Sequence, residues 1–417
     1  MERYHSAAAL ISQRKPSNPV FGVRPHAAAR AARWFLDRFP GDVAYAYKAN
    51  DSCVLLGALF GAGIRHFDVA SIEEVETCAK VPGATLHLMN PIKPRETIRR
   101  AYHEFGVRSF ALDSDAELRK ILEETGNAAD LTLFVRLAVP AKDSRIPLEG
   151  KFGISGPRAA DLLVATRQAA DNLGVTFHVG SQTLTPGAYT MALESVGRLI
   201  VEAGVVVDII DVGGGFPSRY ADRGPAPLEA FIEAIRKGYE KLTIGAHCRL
   251  MCEPGRALVA EAESLIVRVD ARRGNELFLN DGGFGVLYDA THFNVAFPVR
   301  LLGETRPGQP LEAFSFWGPA CTSEDFMKGP FLLPASVMEG DFIEIGTVGA
   351  YGRVMSTRFN GFGEYDQVLL DDSPFATMYG AGDDLAERTE QDEEAAQPAV
   401  SNVRSIDSGM RSKSQKI

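Results

Sequence analysis

The stretch Val43-Ala-Tyr-Ala-Tyr-Lys48-Ala-Asn50 is an apolar run closed by a lysine. Read as a strand over 43–47, it opens a series of eight. The other runs lie at 65–69, 86–89, 109–112, 131–137, 175–179, 206–212 and 249–252. A helical stretch, Ala27 to Phe39, precedes the first. Amphipathic runs such as Ile72 to Lys80, Pro94 to Phe105, Ser114 to Glu124 and Ala159 to Asn172 separate later ones. Strands alternating with helices build a parallel sheet, and eight of them predict closure into a (β/α)8 barrel, the TIM-barrel architecture of the α/β class. An open doubly wound sheet competes, but it gathers ligand chemistry at one switch point, whereas here reactive residues end many strands.

From about Ser264 the pattern changes to short alternating segments, Leu277 to Asn280, Glu312 to Trp317 and Asp341 to Ile345, broken by Gly/Pro turns. This predicts a C-terminal, mostly antiparallel β domain over 263–377, joined by residues 1–25, with the barrel over 26–262. Residues 378–417 turn acidic and then Ser/Lys-rich, as a disordered tail does.

Composition narrows the function. The 417 residues are 45% hydrophobic with a net charge of -10 and no basic stripe, which argues against a nucleic-acid partner. Ala7 to Ile11 is too short for a signal sequence, and no run approaches the ~18 apolar residues of a membrane span. Five cysteines (Cys53, Cys78, Cys248, Cys252, Cys321) lack metal-type spacing. A cytoplasmic protein without disulfides, metal or membrane contact is expected.

In a barrel the C-terminal strand ends form the active face. An amine leaving an apolar wall at Lys48 is expected to have its pKa lowered by desolvation. That is the setting of a Schiff-base lysine holding a carbonyl substrate or pyridoxal phosphate, although a strand-end lysine is commonly just solvated. The second strand ends in Asp68, the fifth in Arg136 and the sixth in His178-Val-Gly-Ser181. Gly213, Gly214 and Gly215 bare the backbone after the seventh, and Glu253-Pro-Gly-Arg256 follows the eighth. A glycine turn there with Arg256 suits a phosphate. Glu253 is either a surface carboxylate or the group that keeps a pyridine nitrogen protonated, which favours decarboxylation over racemisation. His178 is either a core histidine or a ring that stacks on a flat cofactor.

These motifs, with Phe67-Asp-Val-Ala-Ser71, Tyr288-Asp289, Trp317-Gly-Pro-Ala-Cys321, Gly349-Ala-Tyr351 and Phe359-Asn-Gly-Phe362, make residues 20–365 resemble the fold-type III pyridoxal-phosphate decarboxylases, specifically the eukaryotic-like ornithine/lysine decarboxylases. The resemblance implies a homodimer with shared sites. It gives Lys48 the cofactor, and Ser181, Gly213–Gly215, Gly255, Arg256 and Tyr351 its phosphate. His178 then stacks on the ring, Glu253 meets its nitrogen, and Asp68 and Arg136 support the site. Cys321 of the other subunit becomes the proton donor, although a lone loop cysteine is ordinarily inert packing. Tyr288, Asp289, Thr322, Asp325 and Phe359 fall in the substrate-binding region, with Asp289 meeting the distal ammonium. Lys151 and Asp325 resemble an intersubunit ion pair. One residue departs: relatives carry an acid directly after the cysteine, where this chain has Thr322, so one charge-assisted contact to a distal amine is lost. L-Ornithine, with L-lysine, is the expected substrate. Diaminopimelate or a specialised-metabolite precursor, and a catalytically inactive regulatory homologue, are the alternatives.

Overall fold

The computed structural model describes residues 1–221, 224–303 and 310–380. Strands Asp42–Ala46, His66–Val69, Thr85–Leu88, Ser109–Leu112, Thr132–Leu137, Asn172–Phe177, Ile209–Asp211 and Arg249–Cys252 form one closed barrel, every neighbour parallel. Ile209–Asp211 pairs with both Gly174–Thr176 and Arg249–Met251, and Met251–Cys252 pairs with Asp42–Val43 to close the ring. Ala44, Met89, Ala111, Phe134, Ile209 and Met251 pack together as a separate cluster inside it. Phe134 fills space that only a glycine leaves, since a Cβ on Gly174 would lie 2.3 Å from its ring. The barrel is thus plugged at mid-height and offers two separate ends.

The helices follow from local chemistry. Pro25 starts Pro25–Arg38, which buries Ala27, Ala28, Ala31, Ala32, Trp34 and Phe35, the spacing of one helical face. Ser71 and Ser114 cap Ile72–Cys78 and Asp115–Glu124 by accepting from the amides of Glu74 and Glu117. Among the described residues no helix is long and apolar enough to cross a membrane.

The second sheet runs in the order Glu2–Tyr4, Asp366–Leu370, Val20–Val23, Glu263–Arg273, Glu276–Leu279, Leu311–Trp317, Phe326–Pro334, while Phe342–Ile345 pairs with Glu263–Arg273 and Val299–Leu302. Five of its eight ladders are antiparallel. Both N-terminal strands lie in it. Buried Arg24 ties the sheet to the segment after its last strand, bonding Glu344 at 2.9 Å and Asp372 at 2.8 Å. The start of the expected tail is anchored: the Met378 amide donates to Glu261 at 2.7 Å, and Tyr379 packs edge-on against Trp34. Its ring buries apolar area that composition alone does not reveal. The rest of that tail, 381–417, lies outside the described residues.

Candidate active site

At the C-terminal end of the barrel a cleft is lined by Ala46, Lys48, His178, Ser181, Gly214, Gly215, Phe216, Glu253, Gly255, Arg256 and Tyr351. Tyr351 comes from the β domain, in a left-handed conformation (φ 60°), and its amide donates a hydrogen bond to the Ala49 carbonyl at 2.8 Å. Lys48 stands in a short 3-10 turn, Tyr47–Ala49, directly after its strand. Its Nζ donates to Asp68 Oδ2 at 2.6 Å. Burial pulls the amine's pKa down, but the carboxylates of Asp68 and Glu253 outweigh it, so the pKa rises rather than falls. This reverses the shift expected from desolvation alone, because the field of buried Asp68 acts directly on the amine.

Glu253 is buried, and its Oε1 receives no hydrogen bond. Burial, then the neighbouring charges of Asp211 and Asp68, push its pKa well up. Asp211 lies behind it, accepting from the Thr176 hydroxyl at 2.6 Å and the Gly213 amide at 2.9 Å, with its pKa pushed up to about 6 by burial. His178 is held neutral by burial and by the nearby Arg136 and Lys48 cations. The Gly180 amide donates to its Nδ1 at 3.1 Å, which leaves the ring proton on Nε2.

The glycine turn is a cradle with no room for side chains. A Cβ on Gly213 would stand 2.1 Å from the Phe177 carbonyl oxygen, and one on Gly214 would stand 3.0 Å from His178 Nε2. Arg256 is buried across from it. The guanidinium bonds the Tyr220 hydroxyl at 2.5 Å, reaches Ser181 Oγ at 3.3 Å, and faces the Tyr351 ring at 5.0 Å. Its Nη1 lies 2.9 Å from Asp289 Oδ2, an ionic contact in which no N–H is aimed at that oxygen. Arg136 is one step back, 5.5 Å over the Phe152 ring.

The remaining expected residues gather elsewhere. Cys321 is exposed, on the loop after Leu311–Trp317, and is not among the residues lining the cleft. Thr322 follows it in the same loop. Asp325 is buried, accepting from the amides of Gly283 at 2.7 Å and Ala320 at 2.9 Å, so both its oxygens are bonded within its own chain. Lys151 lies 4.7 Å over Phe152. Tyr288 stacks on His292, and Phe359 packs on Phe284 with centroids 5.1 Å apart. Sequence reading passed over Tyr220, Thr176 and a role for Asp211. Asp211 stood inside the Gly-rich motif, but Tyr220 lies in an irregular loop that gives no periodic signal.

A larger cavity, about 350 Å³, opens at the other end of the barrel, lined by Asp42, His66, His87, Ser109 and Arg249 among others. Its polar groups bond one another: His66 Nδ1 meets His87 Nε2 at 3.0 Å, and His87 Nδ1 meets Ser109 Oγ at 2.8 Å.

Residues 26–260 match the family model for the pyridoxal-dependent decarboxylase, pyridoxal binding domain. The lysine/ornithine decarboxylase of Selenomonas ruminantium is 32% identical over 357 residues, covering 83% of this chain and 88% of that protein. The diaminopimelate decarboxylase of Pseudomonas fluorescens is also 32% identical, over 81% of this chain and 83% of its own length. The crystal structure of the Vibrio vulnificus lysine/ornithine decarboxylase complexed with cadaverine has a TM-score of 0.74 at 27% identity, covering 88% of this chain and 100% of that one.

Proposed function

Because the chain belongs to the pyridoxal-dependent decarboxylases, we propose that it decarboxylates a basic L-amino acid, L-ornithine to putrescine and also L-lysine to cadaverine, in polyamine biosynthesis. Two features of the cleft fit the family's cofactor, pyridoxal phosphate. Glu253 Oε1 is a buried acceptor without a donor, which a ring N–H satisfies, and the bare glycine turn facing Arg256 suits a phosphate. Lys48 lines the same cleft, its amine bonded to Asp68.

Bound there, the cofactor supplies an electron sink for the pair left when CO2 departs. Lys48 holds its aldehyde end. Ser181, the Gly213–Gly215 turn, Gly255, Arg256 and Tyr351 hold the phosphate. His178 would offer the ring a flat face, and Glu253 would hydrogen-bond the ring nitrogen. Asp68 and Arg136 orient Lys48 and Glu253. Two subunits share each site. Cys321 is exposed in its own chain; in the proposed dimer it would enter the partner's cleft, where its Sγ would give a proton to the substrate Cα.

The observation that carries the diamino-acid reading is Asp289, a buried carboxylate beside the cleft whose Oδ2 accepts no hydrogen bond and which can take a distal ammonium. A second reading, a diaminopimelate-like substrate, is favoured by Thr322 and by the Arg256 cation already facing Asp289, which together weaken selection for a bare amine. Incubation with ornithine, lysine, arginine and diaminopimelate, with the amines identified by mass, separates the two; no CO2 release from ornithine or lysine contradicts the first. T322D restores a charge-assisted contact worth about 1.5–3 kcal/mol, so kcat/KM for ornithine should rise roughly 10- to 100-fold.

A further inference from the structure

The loop that carries Cys321 is tied down mostly by itself. The Ala320 amide donates to Asp325 Oδ2 at 2.9 Å, the Gly318 amide to the Asp325 carbonyl at 2.9 Å, and the Thr322 amide to the Ala320 carbonyl at 2.8 Å. Two bonds leave the loop: Asp325 Oδ1 accepts from the Gly283 amide at 2.7 Å, and the Cys321 amide reaches out as a donor. It donates at 2.9 Å to Asn360 Oδ1, thirty-nine residues further along the chain.

Asn360 is built for that reach. It sits at φ 55°, ψ 15° between Phe359 and Gly361, in the left-handed region that asparagine tolerates better than other side-chain-bearing residues. Its segment is anchored independently of Cys321: the Thr357 amide and hydroxyl both donate to the Phe284 carbonyl at 2.9 Å, the Phe359 amide donates to Thr357 Oγ1 at 3.3 Å, and Phe359 packs on Phe284. A fixed acceptor on a second loop therefore meets the one backbone donor that sets where the thiol's Cα stands. A side chain that delivers a proton has to be held within a fraction of an ångström, because transfer requires hydrogen-bond reach.

The geometry points to Asn360 as a positioning residue for Cys321: its carboxamide oxygen holds the cysteine backbone so that the proton goes to the substrate carbon. This rests on the proposed donor role of Cys321. CO2 loss leaves an electron pair on Cα, and the Sγ–H bond breaks as the Cα–H bond forms. A displaced thiol leaves that pair to be protonated elsewhere, so less amine forms per CO2.

N360G keeps the left-handed backbone but loses the acceptor, and N360D keeps both. The full-length holoenzyme is assayed with ornithine for CO2 and amine in the same tube, with C321A beside it as the reference. A lost neutral hydrogen bond shifts an equilibrium by roughly 2- to 10-fold. N360G should therefore lower kcat by about that factor with KM unchanged, and lower the amine-to-CO2 ratio, while N360D restores the ratio. The rate of Cys321 alkylation by iodoacetamide, read by peptide mass on protein without substrate, should change by a similar factor in N360G and return towards wild type in N360D. Wild-type ratio and alkylation rate in N360G overturn the inference. An unchanged ratio in C321A instead removes the donor role on which it rests. If N360G does not fold, N360A and N360D carry the same alkylation comparison, and equal rates in both overturn the inference.

Discussion

The two ends of the barrel hold similar numbers of ionisable side chains and treat them in opposite ways. At the N-terminal end, Asp42, His66, His87, Ser109 and Arg249 join hands. The His66 and His87 ring centroids are 5.3 Å apart, and their facing nitrogens 3.0 Å. The first distance is about what the second and the two ring radii sum to, so the imidazoles lie end to end in nearly one plane, joined by an in-plane hydrogen bond rather than stacked. Arg249 closes on Asp42 at 3.2 Å. At the C-terminal end, Glu253 Oε1 is buried without a donor, Asp289 Oδ2 has only an ionic contact to Arg256, and Asp211, Asp68 and Glu253 crowd three acids beside one lysine. Satisfied polar groups stabilise a fold; unsatisfied ones cost stability and persist where a ligand completes them. Far the larger cavity belongs to the satisfied end.

The contrast predicts that changes at the rim remove activity and spare stability, and that changes at the base do the reverse. The largest effect is expected at Lys48. K48R keeps a cation against Asp68 but loses the amine, so kcat/KM should fall by about 10⁴-fold or more while the urea midpoint hardly moves. A large midpoint loss in K48R would break the division between the ends.

E253Q is next. It should lower kcat by roughly 10²- to 10³-fold, within the range for a group that holds a proton during reaction. Its stability signature is the sharper test. Burial raises the folded pKa of Glu253 above the unfolded value of about 4.3, so the folded state binds its proton more tightly. Stability from this group is complete below that value and drains away as pH rises towards the folded pKa. Cofactor-free wild type should therefore lose stability between pH 5 and 8, and E253Q should lose less, as denaturant midpoints would show.

At the base, H87A strands Ser109 and His66 and opens a hole, which should cost about 2–4 kcal/mol of stability with kcat/KM within twofold of wild type. The smallest effect is its pH dependence. Burial pushes His87 down to about 3, below the unfolded value of about 6.5. A depressed histidine contributes stability above the unfolded pKa and loses it as pH falls towards 3. The wild-type advantage over H87A should narrow from pH 7 to pH 4.5.

Much of this division was legible in the sequence, and unevenly so. The eight barrel strands were readable because each is an apolar run bounded by helical spacing; Ser109–Leu112 and Arg249–Cys252 fall within a residue of the expected limits. The rim was readable through residues that make poor strand ends, Lys48, Glu253 and the glycine triplet. The base was not: His66, His87 and Ser109 lie 21 and 22 residues apart, and only the barrel's register brings them side by side. The same holds for Lys48 and Asp68, whose contact reverses the amine's expected pKa, and for the short pair Ser144–Ile146 and Ser181–Thr183 beside the cleft, which no periodicity announces.

The central claim is that the amine after the first barrel strand carries the cofactor, opposite a buried carboxyl that lacks a donor. Borohydride reduction of the protein with pyridoxal phosphate, followed by peptide mapping, tests it most directly. Lys93, whose pKa burial pulls down to about 8, is the natural competitor. The label should appear on Lys48 in wild type and vanish in K48R. Label on Lys93 or any other lysine, with Lys48 unmodified, would contradict the account.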